Sequence, residues 1–98
     1  MFKIQTMNII AAAGIEALEK NGCQVGENIK YPSGLLLRSA DLHEMNFPES
    51  LLAIARAGAG YNNIPIDRCT EEGIVVFNGL LYGLETSLST SLQTPQET

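Results

Sequence analysis

Positive charge is scarce in this sequence. Six of its 98 residues are Lys or Arg and eleven are Asp or Glu, which gives a formal net charge of −5. A nucleic-acid-binding surface needs clustered cations that displace the counterions around phosphates. Here the cations stand singly, at Lys3, Lys20, Lys30, Arg38, Arg56 and Arg68. The composition therefore argues against a nucleic-acid partner.

Long apolar runs and clusters of metal ligands are missing too. No stretch approaches the ~20 apolar residues that a membrane-spanning helix requires. The apolar residues near the N-terminus are interrupted by polar ones and followed at once by Glu16, which argues against a secretory signal. Cys23 and Cys69 lie far apart, and His43 is the only histidine. We therefore expect a cytoplasmic protein with no membrane association, no metal site and no disulfide framework.

What the sequence does contain is one small domain in which short apolar segments alternate with helical ones. The predicted order is β-α-β-β-α-β-α-β, with strands at 2–6, 23–25, 34–37, 54–57 and 74–77 and helices beginning at Asn8, Pro48 and Asp67. Such alternation predicts an α/β fold with an open, mainly parallel sheet and helices on both faces. After Asn78 the chain is rich in Ser, Thr, Gln and Glu. We expect residues 79–98 to be a poorly ordered tail, which leaves the fold incomplete at its C-terminal end.

Candidate binding residues follow several predicted strands. In open α/β sheets, ligands bind outside the carboxyl ends of the strands. A guanidinium at Arg38 can bind a carboxylate or phosphate through two parallel hydrogen bonds, and Ser39 adds a hydroxyl. The Gly58-Ala59-Gly60 turn allows backbone N–H groups to approach a ligand closely. We predict a small anion-binding edge; the alternative, in which Arg38 pairs with Asp41 and the glycines only make a turn, remains open.

Catalytic and cofactor motifs are absent. Gly58-Ala59-Gly60 does not extend to a dinucleotide fingerprint, because Asn63 occupies the position of the third glycine and no acidic residue lies at the required distance. His43 stands in a polar loop without a Ser or Cys nucleophile beside it, which is typical of a solvated side chain. We therefore assign no catalytic residue.

Three segments in order make the chain recognisable: 35–40 (LLLRSA), 54–64 (IARAGAGYNNI) and 72–78 (EGIVVFN). With these motifs the sequence resembles the N-terminal part of the D-isomer-specific 2-hydroxyacid dehydrogenases, and among them the phosphoglycerate dehydrogenases. The resemblance covers residues 1–78. It implies that this part is a flavodoxin-like substrate-binding domain of an oxidoreductase.

The resemblance also implies an activity and a set of contacts. Members of this family use NAD to oxidise 3-phosphoglycerate, the start of serine biosynthesis. By the resemblance, Arg38 and Ser39 contact the anionic groups of the substrate, and the backbone amides of Gly58, Ala59 and Gly60 face its carboxylate. Ala59 would lie near the nicotinamide, and Asn78 would stand at the hinge to the cofactor domain.

The chain departs from the family after Asn78. Gly79-Leu80-Leu81-Tyr82 does not match the hinge segment, and neither the NAD-binding Rossmann domain nor the catalytic Arg, Glu and His is present. We expect NAD to serve the parent family but not to bind this chain alone. Two hypotheses follow: a truncated, inactive dehydrogenase, or an autonomous module that binds a small anion or pairs with a full-length dehydrogenase subunit.

Overall fold

The computed structural model describes residues 2–8, 12–57 and 62–79. Within these residues a sheet of five strands is flanked by two helices. The strands are β1 (Phe2–Thr6), β2 (Cys23–Gly26), β3 (Gly34–Leu37), β4 (Ala53–Ala57) and β5 (Val75–Gly79). The helices are α1 (Ala12–Lys20) and α2 (Ile66–Glu71).

The sheet is parallel throughout, in the order β2-β1-β3-β4-β5. The chain steps from β1 outward to β2, then returns to β3 on the other side of β1 and continues to β5. The direction of winding therefore reverses between β1 and β3, where the chain segments that leave the two strands diverge. This arrangement confirms the predicted open, parallel α/β fold. In such folds ligands bind at the point of reversal, which here lies between β1 and β3.

The core lies in two layers, one on each face of the sheet. All four residues of β3 are buried, as expected for an apolar strand covered on both faces. Leu36 belongs to the layer covered by α1, which contains Ile4, Leu18, Cys23, Ala53 and Ala55. The other layer lies under α2 and the β3–β4 connection, and it contains Leu35, Leu37, Leu42, Leu51, Ile54, Ile64, Cys69 and Ile74. The helices cover opposite faces, as predicted.

The prediction of a helix that begins at Pro48 is wrong. The residues from Pro48 to Leu52 form a turn, in which the Leu51 N–H donates to the Pro48 carbonyl at 3.0 Å. The Leu52 N–H, which a helix would direct to Pro48, donates to the Ser33 carbonyl at 2.8 Å. Tertiary hydrogen bonding and burial of Leu51 therefore decide the path of this segment against its local propensity.

Apart from the start of α1, the other boundaries move by only a residue or two. The helix predicted from Asn8 is described from Ala12 onward, since residues 9–11 lie outside the described part of the chain. Strand β5 continues to Gly79, and the rest of the predicted tail, residues 80–98, also lies outside the described part. Among the described residues no helix is long and apolar enough to cross a membrane, and no group of His, Cys, Asp and Glu could hold a metal ion.

Candidate functional site

The carboxyl ends of β1 and β3 bring two predicted site residues to the reversal point of the sheet. Arg38 and Ser39 directly follow β3, and both are exposed. Thr6, which ends the neighbouring strand β1, is buried. The predicted residues Gly58, Ala59 and Gly60 lie outside the described part of the chain.

Asn8 connects the two diverging loops. Its Oδ1 accepts hydrogen bonds from the backbone N–H groups of Arg38, Ser39 and Ala40, at 2.9, 3.0 and 3.1 Å. Consecutive N–H groups that converge in this way form a nest, a backbone concavity suited to an oxygen with negative charge. Asn8 has a φ of +79°, a left-handed conformation that Asn tolerates better than most residues. Sequence reasoning placed Asn8 only at the start of a helix and missed this contact.

Asn63 holds the opposite side of the same loop. Its Nδ2 donates to the carbonyls of Arg38 and Ala40 at 3.1 and 2.9 Å. The backbone carbonyl of Asn63 accepts the Leu42 N–H at 2.8 Å. A flipped amide would set an oxygen against two carbonyl oxygens, so these contacts define its orientation. The N–H groups of all three residues from Arg38 to Ala40, and the carbonyls of Arg38 and Ala40, are thus bound by neutral amides.

The Arg38 guanidinium has no carboxylate within ion-pair distance among the described residues. Asp41, its alternative partner, instead lies 2.6 Å from His43 Nδ1 and accepts the backbone N–H of His43 at 3.0 Å. The backbone hydrogen bond from His43, with its side-chain hydrogen bond, lowers the pKa of the Asp41 carboxyl below its ordinary value. The structure therefore does not contain the Arg38–Asp41 ion pair.

A second arginine, Arg68, has a different role. From α2 its Nη2 donates to the carbonyls of Leu42 and Met45 at 3.1 and 2.8 Å, and its Nη1 donates to the His43 carbonyl at 3.3 Å. The guanidinium carbon also lies 4.1 Å from the centre of the Phe47 ring. Arg68 thus fixes the loop that covers the second core layer. Its position in the sequence carries no signal of this role, because the contacted carbonyls lie in a distant loop.

At the far side of the sheet, the predicted hinge residue Asn78 stands opposite Arg56 in the register of β5 and β4. Both are half-buried at the carboxyl ends of their strands. A shallow groove of about 350 Å³ lies between α2 and β5, lined by Ile66, Thr70, Ile74 and Val76. None of these side chains is charged, so this groove is not suited to an anion. Cys69 on the inner face of α2 is buried, and burial raises the pKa of its thiol, so it is not an activated nucleophile.

A dinucleotide does not fit the described residues. A pyrophosphate requires free backbone N–H groups, typically in a glycine-rich turn that opens a helix. The N–H nest after β3 is filled by Asn8, and the chain leaving β1 through Met7 and Asn8 contains no glycine. Helix α2 has six residues and follows Pro65 rather than a glycine turn.

Comparison with known proteins gives a consistent result. Residues 24–85 match the family described as "D-isomer specific 2-hydroxyacid dehydrogenase, catalytic domain". The chain is 36% identical over 75 residues to D-3-phosphoglycerate dehydrogenase of Bacillus subtilis (strain 168). The alignment covers 71% of this chain and 14% of that protein.

A solved structure is similar as well. It is the crystal structure of NAD+-bound 3-phosphoglycerate dehydrogenase from Entamoeba histolytica, with a TM-score of 0.59 and 26% sequence identity. The similarity covers 79% of this chain and 32% of that one. The chain thus spans a minor part of the length of both relatives.

Proposed function

The chain belongs to the D-isomer specific 2-hydroxyacid dehydrogenases, and on that premise we propose that it is the substrate-binding part of a phosphoglycerate dehydrogenase. It binds a small phosphorylated 2-hydroxy acid such as 3-phosphoglycerate where the loops after β1 and β3 diverge. NAD and the groups that activate the hydroxyl belong to the rest of such an enzyme. A cytoplasmic location, as in the sequence-based expectation, is part of this proposal.

The proposal rests on the position of Arg38, on the exposure of its side chain and on its lack of a carboxylate partner among the described residues. Arg38 stands at the reversal point of a parallel sheet, where ligands of such folds bind. Its side chain is exposed, and no described carboxylate neutralises it. A guanidinium in this state can form two charge-assisted hydrogen bonds with a carboxylate or phosphate.

The remaining predicted contacts complete the proposed site. The Ser39 hydroxyl lies next to Arg38 in the exposed loop and is available to an anionic oxygen. The contact of the substrate carboxylate with the backbone amides of Gly58, Ala59 and Gly60 stays a prediction from the family resemblance. So do the position of Ala59 near the nicotinamide and the hinge role of Asn78.

Binding by Arg38 can be tested with isothermal titration calorimetry, using 3-phosphoglycerate and the whole chain. We expect saturable binding that Arg38→Gln weakens about tenfold or more, because a bidentate charge-assisted pair is lost. Lys20→Gln is the matched control, since it removes an exposed cation at the end of α1, just before the amino end of β2, whereas Arg38 follows the carboxyl end of β3. Equal weakening by both substitutions would point to general charge attraction and contradict a site at Arg38.

The isolated chain is not expected to oxidise its ligand. Hydride transfer requires a cofactor and a base held against the substrate, and the described residues fit no dinucleotide. His43 is exposed and bound to Asp41 in the loop, and the chain has no other histidine to act as a base. Measurable NADH formation from 3-phosphoglycerate by the purified chain would overturn this part of the proposal.

A second candidate function is pairing with a full-length dehydrogenase subunit. Strand β5 forms an edge of the described sheet, and Val75 on it is 39% exposed, so an apolar strand is accessible. Size-exclusion chromatography of the chain mixed with a phosphoglycerate dehydrogenase tests this alternative. Co-elution that Val75→Lys abolishes would support pairing, and separate elution would leave anion binding as the function.

A further inference from the structure

We propose that Asn8 is a positioning residue that also favours anionic ligands: its neutral amide oxygen holds the Arg38 loop in place without adding a negative charge next to Arg38. This inference rests on the proposed function and extends it to a residue that does not itself contact the ligand. Asn8 lies in the loop after β1, whereas Arg38 follows β3. The contact between them therefore spans the point where the sheet reverses.

The nest of N–H groups has a defined geometry. Three consecutive N–H groups, those of Arg38, Ser39 and Ala40, point to one oxygen within 2.9–3.1 Å. One of these N–H groups belongs to Arg38 itself. The backbone that carries the guanidinium is therefore bound directly to Asn8, and loss of the Asn8 oxygen would release it.

Asn8 and Asn63 hold the same loop from two sides. Asn63 donates to the carbonyls of Arg38 and Ala40, while Asn8 accepts from the N–H groups of the same two residues. Five hydrogen bonds from two amides thus fix the orientation of three residues. A loop held from both sides loses little conformational entropy when a ligand binds its side chains.

The charge of the side chain at position 8 also matters for an anionic ligand. A nest of N–H groups favours an anion, so an aspartate at position 8 would bind it more strongly than asparagine does. That carboxylate would also lie beside Arg38 and compete electrostatically with an anionic ligand. An asparagine satisfies the N–H groups and leaves the positive charge of Arg38 available.

Two substitutions separate position from charge. Asn8→Gly removes the oxygen but accepts the φ of +79°, so backbone strain is not introduced. Asn8→Asp keeps an acceptor of the same shape and adds a negative charge. Each variant of the whole chain is examined by the amide proton signals of Arg38, Ser39 and Ala40 in NMR spectra, and by calorimetry with 3-phosphoglycerate at low and high salt.

We expect Asn8→Gly to shift the three amide protons upfield, to speed their exchange with solvent, and to weaken binding about threefold to tenfold. Asn8→Asp should keep the three amides downfield yet weaken binding about tenfold at low salt, with the difference from wild type shrinking at high salt as the charge is screened. A purely structural role would not produce that salt-dependent difference between two folded variants.

The opposite results overturn the proposal. Tighter binding by Asn8→Gly would mean that the ligand itself enters the vacated nest. Equal binding by wild type and Asn8→Asp at low salt would exclude the role of charge. If wild type binds and neither variant changes affinity or amide signals, only the role of Asn8 is wrong. If wild type does not bind 3-phosphoglycerate, the proposed function fails, and the ligand-dependent part of this inference fails with it.

Discussion

Two neighbouring parts of the β3–β4 connection are held in place by different chemistry. The Arg38–Ala40 segment is bound by the amides of Asn8 and Asn63, whereas the Leu42–Phe47 segment is bound by the guanidinium of Arg68. In the first segment the arginine is the residue being held, and its side chain is exposed. In the second the arginine does the holding, and its Nη1 and Nη2 donors already have partners.

The difference shows what separates a binding arginine from a structural one. The Arg68 side chain is 35% exposed, donates to three carbonyls and stacks on Phe47, so a ligand would have to break contacts that already exist. Arg38 has no such partners among the described residues. Charge and residue type are the same for both, and the contacts show which guanidinium is already engaged.

The largest expected effect comes from removing the cation that holds the second segment. Arg68→Ala leaves the carbonyls of Leu42, His43 and Met45 without their donor, and we expect the free energy of unfolding to fall by about 2–4 kcal/mol. Urea denaturation followed by circular dichroism measures this. Arg68→Lys should lie between wild type and Arg68→Ala, because an ammonium keeps the charge but not the fork of donors. No loss of stability in either variant would contradict the structural role.

The amide that holds the first segment should matter less. Asn63→Ala removes two hydrogen bonds to the carbonyls of Arg38 and Ala40, and we expect a loss of about 1–2 kcal/mol in the same denaturation experiment. Asn62→Ala, at the exposed neighbouring position, is the matched control and should change stability by less than about 0.5 kcal/mol. An equal loss in both variants would show that the Asn63 contacts are not the cause.

Arg38 itself should contribute almost nothing to stability. Its side chain is exposed and has no ion pair in the described part of the chain, so Arg38→Gln should alter the unfolding free energy by less than about 0.5 kcal/mol. The same variant should lose affinity for 3-phosphoglycerate in the proposed calorimetric titration. If Arg38→Gln destabilised the chain as much as Arg68→Ala does, the contrast between the two arginines would be lost.

The smallest expected effect is that of Asp41 on how stability changes with pH. Hydrogen bonds from His43 lower the pKa of the Asp41 carboxyl below 3.8 in the folded chain. A depressed folded pKa contributes stability above the unfolded value, and that contribution is lost as pH falls through the folded pKa. Asp41→Asn should therefore flatten slightly the decline of stability below about pH 4, measured by denaturation at several pH values. Glu44→Gln, at an exposed acid of the same loop, is the control.

Much of the fold could be predicted because the strands stand out in the local sequence as short apolar runs. Gly34–Leu37 is a continuous apolar run between turn residues, and in the structure it is the fully buried central strand. Pro48 and Glu49 gave an equally typical start for a helix, yet that prediction is wrong. The N–H groups of Leu52 and Ala53 both donate to Ser33, a contact that no local pattern reveals.

The candidate site was predictable only in part. The ends of apolar strands identify Arg38 and Ser39 as residues at the ligand-binding edge, because parallel strands align their carboxyl ends. Asn8 and Asn63 could not be assigned to the Arg38 loop, since each lies at least 23 positions from its hydrogen-bond partners in that loop. The roles of Gly58, Ala59 and Gly60 stay predictions.

The sequence alone determined the fold class, the identity of the apolar strands and the family, because apolar periodicity and ordered motifs are properties of the chain itself. The tertiary structure decided which of two similar arginines remains available to a ligand. It did so because hydrogen bonds act only over short distances. Arg68 lies next to the carbonyls of a loop remote in sequence, while neutral amides from two other loops already bind the backbone of Arg38.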